Sequence, residues 1–222
     1  MTEILLTTLL TGLQVAVVLL AVDFASGVLH WLEDSYGEPS WPFLGKRVVV
    51  PNIRHHFKPR AFTKSTFWKR NSVTMIMSGS FLVGIILMGW FHWMWLLACT
   101  VGAISNEIHC WAHSSPRENG KIITFLQRIR LIQTKKAHAV HHTNPKNQSY
   151  CTVGNFLNPV LDAARFFERI EWVILKVTGV KRREDKSVKA RRVRIPVCRR
   201  MVGEECVNCP REAGKQSVPA LS

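Results

Sequence analysis

The chain has 222 residues, 47% of them hydrophobic, and a formal net charge of +15. That length admits one domain with a tail, and apolar residues gathered in long blocks exclude an ordinary soluble core. The basic residues lie beside those blocks, where Lys and Arg mark cytoplasmic loops and meet anionic lipid, so a membrane rather than nucleic acid is the expected partner.

Ile4 to Val22 is an apolar run of nineteen residues, long enough to cross a bilayer. It begins Met-Thr-Glu, without the basic start of a signal peptide, so a retained span is expected. The helix continues as Asp23-Phe-Ala-Ser-Gly-Val-Leu-His30-Trp31-Leu-Glu-Asp34. At the helical period Asp23, His30 and Asp34 fall within about 20° of one line. An acid at the membrane edge is costly unless paired or ligating. His30 is therefore expected to ligate a metal, with these carboxylates in direct or supporting contact. The loop from Trp31 to Asn71 carries Lys46, Arg47, Arg54, Lys58, Arg60, Lys64, Lys69 and Arg70 around the pair His55-His56. Adjacent histidines diverge on a helix, so they can serve two metals, or one metal and one supporting contact.

The second apolar run, Val73 to Ile104, has thirty-two residues. As one helix it would measure about 48 Å, too long for a ~30 Å hydrocarbon core, and it would put His109 opposite His30. Two short spans joined near Gly89-Trp90-Phe91-His92-Trp93 are expected instead, with Trp90, Trp93 and Trp95 at the far interface. His92 belongs to that turn and has no expected role. Asn106, His109 and His113 then share one helix face, and the pattern is not the His-Glu-x-x-His of a zinc protease. His138, His141 and His142 follow at i, i+3, i+4, which one helical face can present together. Val160 to Val177 has helical apolar spacing interrupted by Asp162, Arg165, Glu168, Arg169 and Glu171, which suits an interfacial amphipathic helix. From residue 181 the periodicity fades. The expected division is a membrane domain over 1–180 and a basic, disordered tail over 181–222. The six cysteines (99, 110, 151, 198, 206 and 209) form no regular framework and are expected reduced, and Cys206-x-x-Cys209 alone carries no site.

The expected architecture is an all-α integral membrane protein with about three transmembrane helices and a cytoplasmic, or stromal, histidine-rich helical cap. Eight of the nine histidines fall in four groups just outside the apolar runs: His30, His55-His56, His109/His113 and His138/His141/His142. Eight imidazoles gathered together suit two iron ions better than one zinc. Asp34 and Asn106 are the candidates to orient ligands or a bound water.

Four stretches resemble the membrane lipid desaturase family, which includes plasmanylethanolamine desaturases, Kua-type proteins, bacterial carotenoid-regulating members and plastid palmitate desaturases. They are Asp23-Phe-x-Ser-Gly-x-x-His30-Trp31, the segment from Gly45 to His56, Asn106-Glu-Ile-His109-x-Trp111-x-His113, and His138-x-x-His141-His142 through Tyr150-Cys151. The likeness covers roughly residues 20 to 180. It implies an oxidoreductase using two Fe ions and O2, fed electrons by cytochrome b5 or ferredoxin, with the eight grouped histidines as metal ligands. Lys146 stands roughly where animal members carry a further histidine, and Asn147-Gln-Ser-Tyr150-Cys151 is more like the plastid and bacterial branch. The implied reaction is a double bond set near the headgroup end of a phospholipid alkyl or acyl chain, in plasmanylethanolamine-desaturase fashion. The alternatives are a plastid-type palmitate desaturase, a diiron lipid hydroxylase, or a metal-binding membrane regulator without activity. The implied partners are a phospholipid, the membrane (endoplasmic reticulum, plastid or bacterial inner membrane) and an acidic donor protein that docks on the basic loop.

Overall fold

The computed structural model describes residues 1–185 and Ser187. The described residues form helices and loops without a strand. Helix α1, Thr2–Ser35, has 34 residues, or about 51 Å of rise. Its N-terminal part exposes Leu5, Leu6, Leu9, Leu10, Leu13 and Val17, the surface a lipid-facing helix presents. That length exceeds a ~30 Å hydrocarbon core, and the far third of the helix carries His30 and Asp34. The buried positions Val18, Val22, Gly27, His30, Trp31 and Asp34 form one stripe at helical spacing.

After α1 the chain passes through a π turn, Gly45–Val49, into α2, Val50–Phe57, and then a 3₁₀ turn, Pro59–Lys64. Helix α3, Phe67–Leu87, is capped by the Thr66 side chain. Gly89, at φ 72°, lets the chain turn back, and α4, Trp93–Ala103, packs against α3 and α1. Thr74 Oγ1 donates to the Ala103 carbonyl at 2.9 Å. The break near Gly89 falls where the sequence places it. Among the described residues α1 and α3 are the two helices long and apolar enough to cross a membrane, and α4, with 11 residues, is a shorter apolar helix. It kinks at Ile104 into α5, Ser105–His113.

Helix α6, Pro116–Arg128, starts from a Ser115/Glu118 capping box. Helix α7, Lys135–His141, starts from Thr134. Two further helices follow, α8 at Leu157–Ala163 and α9 at Phe166–Thr178. The single amphipathic helix expected over Val160–Val177 is broken at Arg165, whose φ is 49°, so only its second part forms α9, with Phe167 buried against Trp31 and Tyr150 and Trp172, Val173 and Val177 exposed.

Asp23 has a structural task. Its Oδ1 accepts from the backbone N–H groups of Val153 and Gly154 at 2.9 and 2.8 Å. A Cβ on Gly27 would sit 2.6 Å from Cys151 Sγ and 3.1 Å from the Cys151 nitrogen, so only glycine lets the 150–154 segment lie this close to α1. Gln133, fully buried, donates to the Cys151 carbonyl at 2.6 Å and so ties the approach to α7 to the same segment. Apolar clusters on either side, Val18/Val22/Ile108/Val153 and Trp31/Tyr150/Phe167, brace the histidine-bearing parts of α1 and α5.

Candidate metal centre

All eight grouped histidines are buried, none more than 8% exposed. They converge from α1, α2, α5 and α7 and sort into two groups. The first holds His55, His109, His113, His138 and His142; the second holds His30, Asp34, His56 and His141. Within each group the ligand atoms lie within 4.8 Å of one another. The sorting follows from helix geometry. His55 and His56 diverge, with ring planes at 67°, one to each group. His138 on α7 and His142, the residue that caps its C-terminus, form an i, i+4 pair facing the first group, and His141 turns to the second. The groups adjoin: the rings of His56 and His142 are 5.4 Å apart, as are those of His30 and His109.

In the first group Nε2 atoms approach in a chain: His113 to His109 at 3.2 Å, His109 to His138 at 2.9 Å, His138 to His142 at 3.1 Å and His142 to His55 at 3.0 Å. An imidazole nitrogen either donates one hydrogen bond or accepts one. Five nitrogens with four contacts therefore cannot satisfy one another. Nitrogens at ~2.1 Å from a common metal, in adjacent positions, stand about 3.0 Å apart, which is the spacing found. In the second group His56 Nε2 lies 3.3 Å from Asp34 Oδ1, His141 Nε2 3.4 Å from Asp34 Oδ2, and His30 Nε2 3.7 Å from Asp34 Oδ2. His30 Nε2 and Asp34 Oδ2 are buried without a hydrogen-bond partner. The donor set fits imidazole-binding transition metals.

The protonation states agree with that fit. Burial first, then neighbouring imidazoles, hold His55, His109 and His138 well below the ordinary histidine range. The same two causes lower His113 to about 3. Such rings are neutral, as metal ligands must be. In the second group His30 Nδ1 donates to the Tyr150 carbonyl at 3.1 Å, His141 Nδ1 to the Gln148 carbonyl at 3.0 Å, and His56 Nδ1 to Asp185 Oδ2 at 2.7 Å. Each acceptor places the ring proton on Nδ1 and leaves the Nε2 lone pair facing inward. Asn52 Nδ2 donates to Asp34 Oδ1 at 2.6 Å.

The structure thus brings the eight histidines and Asp34 together. Asn106 enters neither group; its Nδ2 donates to the Arg70 carbonyl at 3.0 Å. Beside it Arg70 Nη2 donates to Glu107 Oε2 at 2.7 Å, so this polar knot ties α3 to the base of α5. Asp23, on the line of His30 and Asp34, stays with its two backbone N–H groups. His92 stands apart, capping α4. Asn52 and Asp185 were missed. Asn52 lies one turn before His55 and His56, a signal open to reading. Asp185 sits in a basic stretch and no spacing marks it. That stretch begins packed, not free: Arg183 Nη2 donates to the carbonyls of Glu33 and Asp34 at 2.9 and 3.0 Å. The remainder of the expected tail, with Cys198, Cys206 and Cys209, lies outside the described residues. Among the described cysteines Cys99, Cys110 and Cys151 are free thiols.

The lipid desaturase domain profile matches residues 19–185, a stretch containing every residue of both groups and Asp185. The chain belongs to the lipid desaturase family. It is 33% identical over 176 residues to the plasmanylethanolamine desaturase of Myxococcus xanthus, covering 75% of this chain and 61% of that one. It is 28% identical over 190 residues to plasmanylethanolamine desaturase 1 of Mus musculus, covering 79% and 69%. Fatty acid desaturase 4-like 1, chloroplastic, of Arabidopsis thaliana is 31% identical over 163 residues, covering 72% and 55%. The chain therefore spans less than two thirds of the Myxococcus and Arabidopsis relatives. No solved structure matches it.

The buried imidazoles should make the metal-free protein of this family member acid-labile. Their folded pKa values lie below the ordinary ~6.5, so the unfolded chain binds more protons. Stability is then fully present above about pH 6.5 and is lost as pH falls toward the folded values, about 3 for His113. The thermal midpoint of metal-free protein in detergent should drop between pH 7.5 and 5. A midpoint unchanged over that window would mean that the imidazoles are not buried as described.

Proposed function

We propose that each group holds an iron ion and that the chain uses O2 to introduce a double bond near the headgroup end of a phospholipid alkyl chain, forming a vinyl ether. The observation that carries this reading is the division of eight buried histidines into two adjoining groups, each drawing on α2 and on the 138–142 stretch. Membership of the lipid desaturase family and the names of the Myxococcus and mouse relatives support it. The identity with the Arabidopsis proteins favours a second reading, desaturation of a phospholipid-linked acyl chain.

When bound, the iron ions supply the oxidant that an unactivated C–H bond requires, which acid–base side chains cannot. The protein's own residues do the rest. The Nδ1 contacts of His30, His56 and His141 aim their Nε2 atoms inward. Asp34 provides the single carboxylate among the grouped ligand atoms. Phe62, whose ring lies 5.4 Å from His55 and 5.0 Å from His109, covers the first group with an apolar face and limits water there. The exposed apolar surfaces of α1 and α3 leave a lipid chain free to approach from the bilayer, with its headgroup at the basic surface. The N-terminus and the Trp90–Trp93 turn lie across the membrane from the histidines, which face the cytoplasm or stroma. Electrons come from cytochrome b5 or ferredoxin, docked on Lys46, Arg47, Arg54, Lys58 and Arg60.

Expression in a host without such an enzyme tests the reading. Ether phospholipids should appear that are lighter by two hydrogen atoms and release an aldehyde in mild acid. Turnover in isolated membranes at limiting donor should fall as salt rises. An unsaturated acyl chain would select the second reading, a product heavier by one oxygen would mean hydroxylation, and unchanged lipids with donor and iron supplied would contradict both desaturase readings.

A further inference from the structure

One partly buried carboxylate outside the two groups touches a grouped histidine. Asp185 lies seven residues past the end of α9. Its Oδ2 accepts from His56 Nδ1 at 2.7 Å, and its side chain is 16% exposed. Lys146 Nζ, fully buried, stands 3.7 Å from the same oxygen and donates to the His56 carbonyl at 3.1 Å. The Ser187 nitrogen donates to Asp185 Oδ1 at 2.8 Å, and Lys146 also donates to the Ser187 hydroxyl. The segment is anchored on both sides of the second group. The Arg183 nitrogen donates to the Ser35 carbonyl at 2.7 Å, and Arg182 Nη2 donates to Tyr150 Oη at 2.8 Å.

The support around the histidines is unequal. His30 and His141 lean on neutral carbonyls, and His56 leans on a charge. In the first group the Nδ1 atoms of His55, His138 and His142 are buried without a partner. Five neutral imidazoles put no negative charge on a cation, whereas Asp34 brings one to the second group in direct reach and Asp185 a second through His56, partly offset by the Lys146 ammonium 3.7 Å away. A carboxylate behind a ligating imidazole fixes its tautomer, raises its basicity and strengthens metal binding, commonly by 10–100-fold.

We propose that Asp185, steadied by Lys146 and Ser187, is the positioning residue that makes the second group the tighter of two unequal metal sites, the one filled first. This rests on the reading of both groups as metal sites. Residues 182–185, with Ser187, thus act as a strap over the second group rather than as the start of a free tail.

Anaerobic titration of metal-free full-length protein in nanodiscs with Co(II), followed by its visible absorption, tests the proposal. Wild type should bind two equivalents in two separable phases. Asp185→Ala should weaken the tighter phase about 10–100-fold and change its absorption bands, leaving the weaker phase in place. Asp185→Asn retains an acceptor for His56 Nδ1 and should lose less, and Asp185→Glu should restore most of the affinity. If Asp185→Ala and Asp185→Asn bind both equivalents as wild type does, even with a lowered melting temperature, Asp185 only anchors the strap and the proposal fails. Equal weakening of both phases would also overturn it. Wild type that binds no Co(II) would overturn the metal reading itself, an outcome distinct from a failure of Asp185 alone.

Discussion

Replacing His138 by alanine should reduce desaturation to background while the protein still accumulates in membranes. His138 is 1% exposed and lies at the middle of the first group. Its Nε2 stands 2.9 Å from that of His109 and 3.1 Å from that of His142. With the first group holding a metal as proposed, loss of this nitrogen removes a ligand, so the effect should exceed the 10–100-fold typical of a supporting contact. Folding should suffer less, because the change relieves crowding among imidazoles that cannot satisfy one another without a metal. His141→Ala and His142→Ala should behave alike, the first through the second group. His92→Ala, at the far turn, should keep near-normal activity. Membrane abundance and product lipid, measured together, check this. Near-normal product from any of the three would remove that residue from the site.

Asp34→Asn should cost one of the two metals, and activity with it. Asp34 supplies the carboxylate among the grouped ligand atoms, with Oδ1 3.3 Å from His56 Nε2 and Oδ2 3.4 Å from His141 Nε2. Asparagine keeps the size and loses the charge, so the change reads electrostatics more than packing. Asp23 offers the contrast. Asp23→Ala should leave the N–H groups of Val153 and Gly154 without their acceptor, at about 1–3 kcal/mol for each. It should lower melting temperature and abundance more than metal content per folded chain. Metal analysis and thermal melts of both variants separate the roles. Two metals and normal turnover in Asp34→Asn would show that the carboxylate is not a ligand.

Periodicity carried much of this architecture. The spacing of His109/His113 and of His138/His141/His142 told which residues share a face. The adjacency of His55 and His56 told that they diverge. The turn at Gly89 was legible because thirty-two apolar residues exceed what one helix can span. Long-range pairing was not legible in the same way. Asp23 and Asp34 share a face of α1, yet one meets backbone N–H groups and the other imidazoles, because the partners arrive from residues 153–154 and from α2 and α7. Asn106 lies on the face of His109, but α3 reaches it first through the Arg70 carbonyl. Asp185 is separated from His56 by well over a hundred residues and surrounded by basic ones, so composition pointed to a solvated tail. The apolar run after the Gly89 turn is shorter than it reads in the sequence, because α4 ends at the Ile104 kink, where the polar residues of α5 begin.

If the two histidine groups are two iron sites, as proposed, metal and protein should be found in a fixed ratio. The most direct measurement is the metal content of full-length protein purified without oxygen from cells supplied with iron. About two irons per chain are expected, one for each group, falling to about one in Asp34→Asn. Zinc alone, or no metal under those conditions, would contradict the account.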